Sequence, residues 1–243
     1  MNLLKYKITA EIPVLSFTSK TIINTINPHS YVVAKNDLSF REALNNCDYL
    51  LPDGHGFVIA ARIIHNINIK RITGADIHRY LLTIAEKEAF KVFYLGASEQ
   101  CLQKIEKKIS KEYPNIRLGY YSPPYKNEFS NEETRIMYEK VNAYSPQILF
   151  IGMTAPKQEK WVYDNQDHLN ANVICSIGAV FDFFAGTVKR PGYLWQKLGL
   201  EWLIRLIRNP KKLWKRTILS APIFLFDLLK TKFHKPHKPS LSR

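Results

Sequence analysis

The sequence predicts an α/β fold, a Rossmann-like parallel sheet with helices on both faces, carrying a basic C-terminal helical appendage. Three observations predict it. The runs KVFYLG (91–96), QILFIGM (147–153) and NVICSIG (172–178) are continuously apolar, as strands buried on both faces are, not alternating like half-exposed ones. Charged amphipathic stretches separate the runs, as crossover helices do. Turn-forming and polar residues follow the runs directly, where ligands of open parallel sheets bind.

The elements follow in order. KTIINTIN (20–27) reads as a strand, SFREALNN (39–46) as a short helix, and YLL (49–51) as a strand end. GHGFVIAARIIH (54–65) has its apolar residues on one helical face, and DIHRYLLTIAEKEA (76–89) is a second such stretch. The clearest unit is the strand KVFYLG, the turn AS and the charged amphipathic helix EQCLQKIEKKISKEYP (99–114), closed by proline. SPPYKNEFSNEE (122–133) reads as an exposed loop. The strand QILFIGM, the helix APKQEKWVYDNQ (155–166), the strand NVICSIG and the apolar run AVFDFFAG (179–186) complete the series.

Composition narrows the function classes. A chain of 243 residues, 46% hydrophobic, can bury one large domain with an appendage. The predicted boundaries are an α/β catalytic domain over 1–194 and a basic, amphipathic appendage over 195–243. Three scattered cysteines, Cys47, Cys101 and Cys175, match neither a disulfide framework nor a metal-ligand pattern and imply reduced, cytoplasmic thiols. No run reaches spanning length, and no signal peptide is legible at the N-terminus. From Lys189 onward, 14 of the 35 Lys and Arg face only Glu201 and Asp227, a net +12 of the total +14. The body is therefore nearly neutral, and the charge of the tail is a partner signal, with a solvated basic tail as the alternative reading.

At the strand ends stand Thr25 and Asn27, Asp53 and Gly54, Gly96 and Ser98, and the stretch TAPKQE (154–159). Each has a plain turn reading, since Asn-Pro and Asp-Gly form turns readily; their convergence at equivalent positions points to a site. Pro156 suits a helix start, placing Lys157, Gln158 and Glu159 beside unsatisfied backbone N–H groups that favour an anion. Glu159 equally suits the dipole of a first turn. His55, beside the Asp-Gly pair, has no chemical role that the motif requires.

These stretches resemble the WecG/TagA/CpsF glycosyltransferases. TINP (25–28), PDGHGFVIAAR (52–62), RITGAD (71–76), VFYLGAS (92–98), FIGMTAPKQEKW (150–161), GAVFDFFAGTVKRPG (178–192) and GLEWLIRLIRNPKKLWKR (199–216) occur in the family's order. The resemblance implies an inverting, metal-independent transferase that moves a sugar, N-acetylmannosamine-type or a related hexose, from a UDP-sugar to an undecaprenyl-diphosphate-linked saccharide of bacterial surface polysaccharide. It needs no cofactor. Asp53 matches the family's Asp-Gly position and suits the base for the acceptor proton, with Glu159 ranked behind it. Thr25, Asn27, Gln158 and Glu159 match the sugar and acceptor side. Gly96, Gly152 and Asp182 match the nucleotide side, where glycine permits close backbone approach. The chain contains no Asp-x-Asp motif for a metal, so the leaving diphosphate falls to helix N-termini and cations: Arg71, and in the tail Arg205, Lys212, Lys215 and Arg216. Lys212 stands where the family usually has arginine, a point charge replacing a fork.

The tail mixes Trp, Leu, Ile and Phe with Lys and Arg and is broken by Pro210 and Pro222, a pattern suited to lying on an anionic membrane surface. The family resemblance implies a peripheral location on the cytoplasmic face of the plasma membrane, and a tail that folds over the site. The competing readings are a basic nucleic-acid-binding protein and an inactive nucleotide-sugar-binding protein. The first needs basic and aromatic residues across a folded face, which the nearly neutral body does not offer, so no nucleic acid is expected.

Overall fold

The structure, a computed structural model, describes residues 1–189, 191–192, 195, 201–208 and 218–233. A two-stranded antiparallel hairpin, β1 (Asn2–Leu3) and β2 (Tyr6–Lys7), leads into six parallel strands: β3 (Thr21–Ile26), β4 (Tyr49–Pro52), β5 (Lys91–Gly96), β6 (Arg117–Tyr121), β7 (Ile148–Gly152) and β8 (Val173–Ser176). Their order across the sheet is β4-β3-β8-β7-β5-β6. The helices are α1 (Pro28–Asn36), α2 (Leu38–Asn45), α3 (His55–His65), α4 (Gly74–Lys87), α5 (Glu99–Glu112), α6 (Asn131–Tyr144), α7 (Lys157–Asn165), α8 (Val180–Ala185), α9 (Glu201–Arg208) and α10 (Ser220–Phe233). The expected parallel α/β sheet with helices on both faces is thus observed, together with C-terminal helices.

Alternation along each strand explains why the runs are apolar throughout. On one face Tyr94, Phe150 and Cys175 pack against Leu81 of α4, Leu102 and Ile105 of α5 and Phe181 of α8. On the other, Phe93, Leu149 and Ile174 meet Met137 and Val141 of α6 and Trp161 and Val162 of α7. Successive side chains point to opposite faces, and both faces are covered. His78 of α4 belongs to this core: its Nε2 lies 2.6 Å from the Tyr94 hydroxyl, and burial pushes its imidazole down to about 3, so it stays neutral.

Four elements differ from the sequence reading. Asn27-Pro28 opens α1 and does not merely turn the chain. Asn27 Oδ1 accepts from the N–H groups of His29 and Ser30, and Ser30 Oγ accepts from Asn27 N, a reciprocal cap with proline at the first helical position. β6 adds an edge strand that its half-exposed residues concealed, and α6 starts inside the stretch expected to be loop, where Ser130 and Glu133 form another such cap. The apolar run after β8 is the helix α8.

The last helix docks on the body. Phe224 of α10 packs edge-on to Tyr31, with ring centroids 5.4 Å apart, and lies 5.3 Å from the Phe57 ring. Asp227 accepts from the Tyr31 hydroxyl at 3.0 Å and pairs with Lys35 at 2.6 Å, while Ser220 Oγ lies 2.9 Å from His29 Nδ1. The other side of α10 leaves Ile223, Leu225, Phe226, Leu229 and Phe233 exposed. Among the described residues no helix is long and apolar enough to cross a membrane.

Phe224→Ala should therefore destabilise the docked helix by about 3 kcal/mol, the low end for losing a buried phenylalanine. Hydrogen exchange should accelerate across 220–233 and α1. Phe226→Ala, on the exposed side, should change stability by no more than about 0.5 kcal/mol.

Candidate active site

The connections leaving adjacent strands β5 and β7 run in opposite directions: β5 continues outward through α5 to β6, and β7 inward through α7 to β8. Such a switch point opens a crevice above the strand ends. Gly96 and Gly152 face each other across it, and Ala97 N donates to the Gly152 carbonyl at 3.0 Å. Gly96 has φ +119°, and a Cβ there would collide with the Gly152 carbonyl, so no side chain fits. The ring of Phe181 lies against Gly152, and the neighbouring Asp182 accepts from Thr187 Oγ1 at 3.0 Å with the Cys101 sulfur 3.9 Å away on α5. The three residues expected on the nucleotide side, Gly96, Gly152 and Asp182, are therefore brought together.

Two backbone bonds assemble the other half. Asp53 N donates to the Ile26 carbonyl at 2.8 Å, setting Asp53 beside Asn27, and Ile72 N donates to the Pro52 carbonyl at 3.1 Å, laying Arg71 along the end of β4. Thr25 pairs with Leu51 in the same ladder. Asp53, Asn27, Arg71 and Thr25 thus converge, with the Asn27 side-chain carbonyl engaged in capping α1. Gly54, at φ +93°, turns the chain from Asp53 into α3, whose first turn has no side-chain cap. From β4 to β5 is four strand spacings, about 19 Å, so the two groups stand apart along the same edge of the sheet.

The stretch that includes PKQE behaves differently. Pro156 precedes α7 and Lys157 begins it, but the Lys157 ammonium bonds to the Lys126 carbonyl and sits over the Phe129 ring, pinning the loop after β6. Gln158 and Glu159 are only 4% and 3% exposed. Gln158 Oε1 accepts from Met153 N at 3.2 Å, and its Nε2 donates to Glu159 Oε1 at 2.8 Å. Glu159 lines a narrow cleft with Ile22 and Asn24 of β3 and with Ala43, Asn46 and Cys47. Ile22 and Asn24 lie below the strand ends, so this carboxyl faces the middle of the sheet, and burial pushes it up to about 7. Asn24, a buried amide in that strand, was not singled out from sequence; its signal was the one amide in TIINTI.

Arg205 lies in α9, and the role expected of its side chain, like those of Lys212, Lys215 and Arg216, lies outside the described residues. Among the described residues no three His, Cys, Asp or Glu side chains gather as metal ligands would.

A six-stranded parallel sheet with a glycine-lined switch point between β5 and β7, and with Asp53, Asn27 and Arg71 gathered at the ends of β3 and β4, is the framework of an α/β protein with its candidate site at the strand ends. The sequence profile of the glycosyl transferase WecG/TagA/CpsF family matches residues 8–238, and the chain belongs to that family. It is 33% identical over 214 residues, 88% of this chain and 81% of the relative, to an N-acetylglucosaminyldiphosphoundecaprenol N-acetyl-beta-D-mannosaminyltransferase of Bacillus subtilis. It is 29% identical over 217 residues, 88% of this chain and 82% of the relative, to a Staphylococcus aureus protein of the same name. The protein is an enzyme, a glycosyltransferase.

Gly54→Ala should cost about 1–3 kcal/mol through backbone strain alone, because nothing lies within 4 Å of the added carbon. Gly96→Ala adds the collision with Gly152 and should lower the thermal midpoint further than Gly54→Ala does.

Proposed function

We propose that this protein transfers an N-acetylmannosamine-type or related hexosyl group from a UDP-sugar to an undecaprenyl-diphosphate-linked saccharide, with inversion and without a metal ion, in bacterial surface polysaccharide synthesis. The observation that carries this reading is the placement of Asp53 beside Asn27 and Arg71, along the same edge of the sheet as Gly96, Gly152 and Asp182. The names of the relatives support the lipid-linked acceptor and the transferred sugar.

In this mechanism the nucleoside rests at the switch point, where the Gly96 and Gly152 backbones admit it closely and Asp182 accepts from its hydroxyl or base N–H groups. Asp53 takes the proton of the acceptor hydroxyl as that oxygen bonds to the anomeric carbon. The bond from that carbon to the diphosphate oxygen breaks, and UDP leaves with the electron pair. Its charge is met by the uncapped N-terminus of α3 and by Arg71, with Arg205, Lys212, Lys215 and Arg216 supplied by the tail. Thr25 and Asn27 orient the sugar and acceptor hydroxyls, and Gln158 and Glu159 support them from behind.

The second part of the proposal is a peripheral position on the cytoplasmic face of the plasma membrane. It is supported by the net +12 from Lys189 onward and by the apolar side that α10 leaves uncovered, with Phe226 at 67% and Phe233 at 78% exposure. An anionic surface attracts each nearby basic residue by about 1 kcal/mol.

UDP release by the full chain, measured with UDP-sugars and a lipid-diphosphate acceptor, should persist in excess EDTA and fall roughly 10²–10⁴-fold in Asp53→Asn. Full activity of Asp53→Asn would overturn the choice of base. Sedimentation with anionic vesicles should weaken in salt and in Phe226→Ser/Phe233→Ser. Unchanged binding would remove α10 from the membrane contact.

A further inference from the structure

Glu159 presents a problem of hydrogen-bond accounting. Its Oε1 accepts from Gln158 Nε2, while its Oε2 is cut off from water and has no partner. Across the same cleft, Asn24 donates through Nδ2 to the Ala43 carbonyl at 3.2 Å, which fixes the amide so that Oδ1 faces inward, and Asn24 Oδ1 is likewise buried without a partner. Two acceptors that line one cleft are thus left without a partner. An ionised carboxylate can only accept, and leaving both atoms unsatisfied is costly. A single proton on Glu159 resolves both, because the carboxylic acid then donates toward Asn24 Oδ1.

We propose that Glu159 is a positioning residue held as the neutral carboxylic acid, joining Asn24 of β3 to Gln158 of α7 and so fixing the Gln158 amide against the turn that follows β7. Through Gln158 Oε1 the chain reaches Met153 N, and Gln158 also lies against Gly178, so the amide spans the ends of β7 and β8 beneath the crevice. The surroundings agree. Burial raises the carboxyl to about 7, opposed by its hydrogen bonds from Gln158 and from its own backbone. The titratable groups lining the cleft are the Cys47 thiol, pushed by burial up to about 12, and the Tyr163 phenol. Asp48, beside Cys47, accepts from Ile22 N, and Lys160, next to Glu159 on α7, is paired with Asp37 of α2. None of them supplies a cation to Glu159.

The positioning role rests on the proposed transferase reaction, whereas the protonation does not, and the experiment separates them. Glu159→Gln reproduces the neutral acid: its oxygen accepts from Gln158 and its amide donates to Asn24. Folding stability measured from about pH 5 to about pH 8 decides the protonation. The folded carboxyl keeps its proton between 4.5 and about 7, where the unfolded chain has lost it, so the parent loses stability as pH rises through that window. The thermal-midpoint advantage of Glu159→Gln over the parent should widen across it. A Glu159→Gln protein less stable than the parent by the same margin at every pH would overturn the proposal. A ¹³C NMR titration of glutamate carboxyls in the parent reads the same proton with no variant, and should find one titrating near neutrality. If every glutamate titrates in the usual acidic range, the proposal fails.

Turnover tests the role. Glu159→Gln should retain activity within about tenfold, well short of the roughly 10²–10⁴-fold that removing a base costs. It should also lack the alkaline decline that the parent acquires as Glu159 ionises. Glu159→Ala should lose activity. Collapse of Glu159→Gln turnover with its stability intact would instead identify Glu159 as a base. If the parent itself is inactive with every donor, the transferase reading fails while the protonation result stands.

Discussion

The bonds from Asp53 N to Ile26 and from Ile72 N to Pro52 continue the parallel ladder beyond the nominal strand ends, and the candidate site depends on that continuation. A strand end normally releases its backbone to solvent. Here the released N–H and C=O groups are taken up by the next segment, so Asn27, Asp53 and Arg71 emerge side by side from three parts of the chain. The same device operates at the switch point, where Ala97 N bonds to the Gly152 carbonyl and extends the contact between β5 and β7. The rigidity of the site thus comes from main-chain hydrogen bonds, while its chemistry comes from the side chains that those bonds hold in place.

Behind this polar rim the protein contains a second, buried polar layer. Asn24, Gln158 and Glu159 lie where β3, β7 and α7 meet, and in a low-dielectric setting the bond between Gln158 and Glu159 is strengthened while every unpartnered atom beside it becomes costly. The tail follows similar logic at larger scale. Phe224 and Leu228 supply apolar burial, and Asp227, held by Tyr31 and Lys35, fixes the angle at which α10 lies across α1. Because Asn27 caps α1, the helix that steadies the tail also starts at the candidate site.

Much of the fold was legible. Continuous apolar runs over 91–96 and 148–152 can only be strands covered on both faces, and caps such as Ser98 announce the helices that follow. What escaped has physical reasons. β6 is an edge strand whose residues are half-exposed and lack the apolar signature. α1 has mixed residues and hides behind a proline that also reads as a turn. Asp53 and Gly96 were recognisable as strand-end residues by position alone, and Gly152 through the family resemblance. Asn24 was not, since one amide within a strand signals nothing until its neighbours are known.

By itself the sequence determined the α/β class, the strand ends where chemistry sits, and the segregation of positive charge into the tail, because periodicity, turn chemistry and composition are local properties. Only the tertiary structure decided which way Gln158 and Glu159 face and where α10 comes to rest. Neighbouring residues of a helix point about 100° apart, so their roles separate only once the helix is seated on the sheet. The contact of Asp227 with Tyr31 joins residues 196 positions apart, and no local pattern encodes a pairing across that distance.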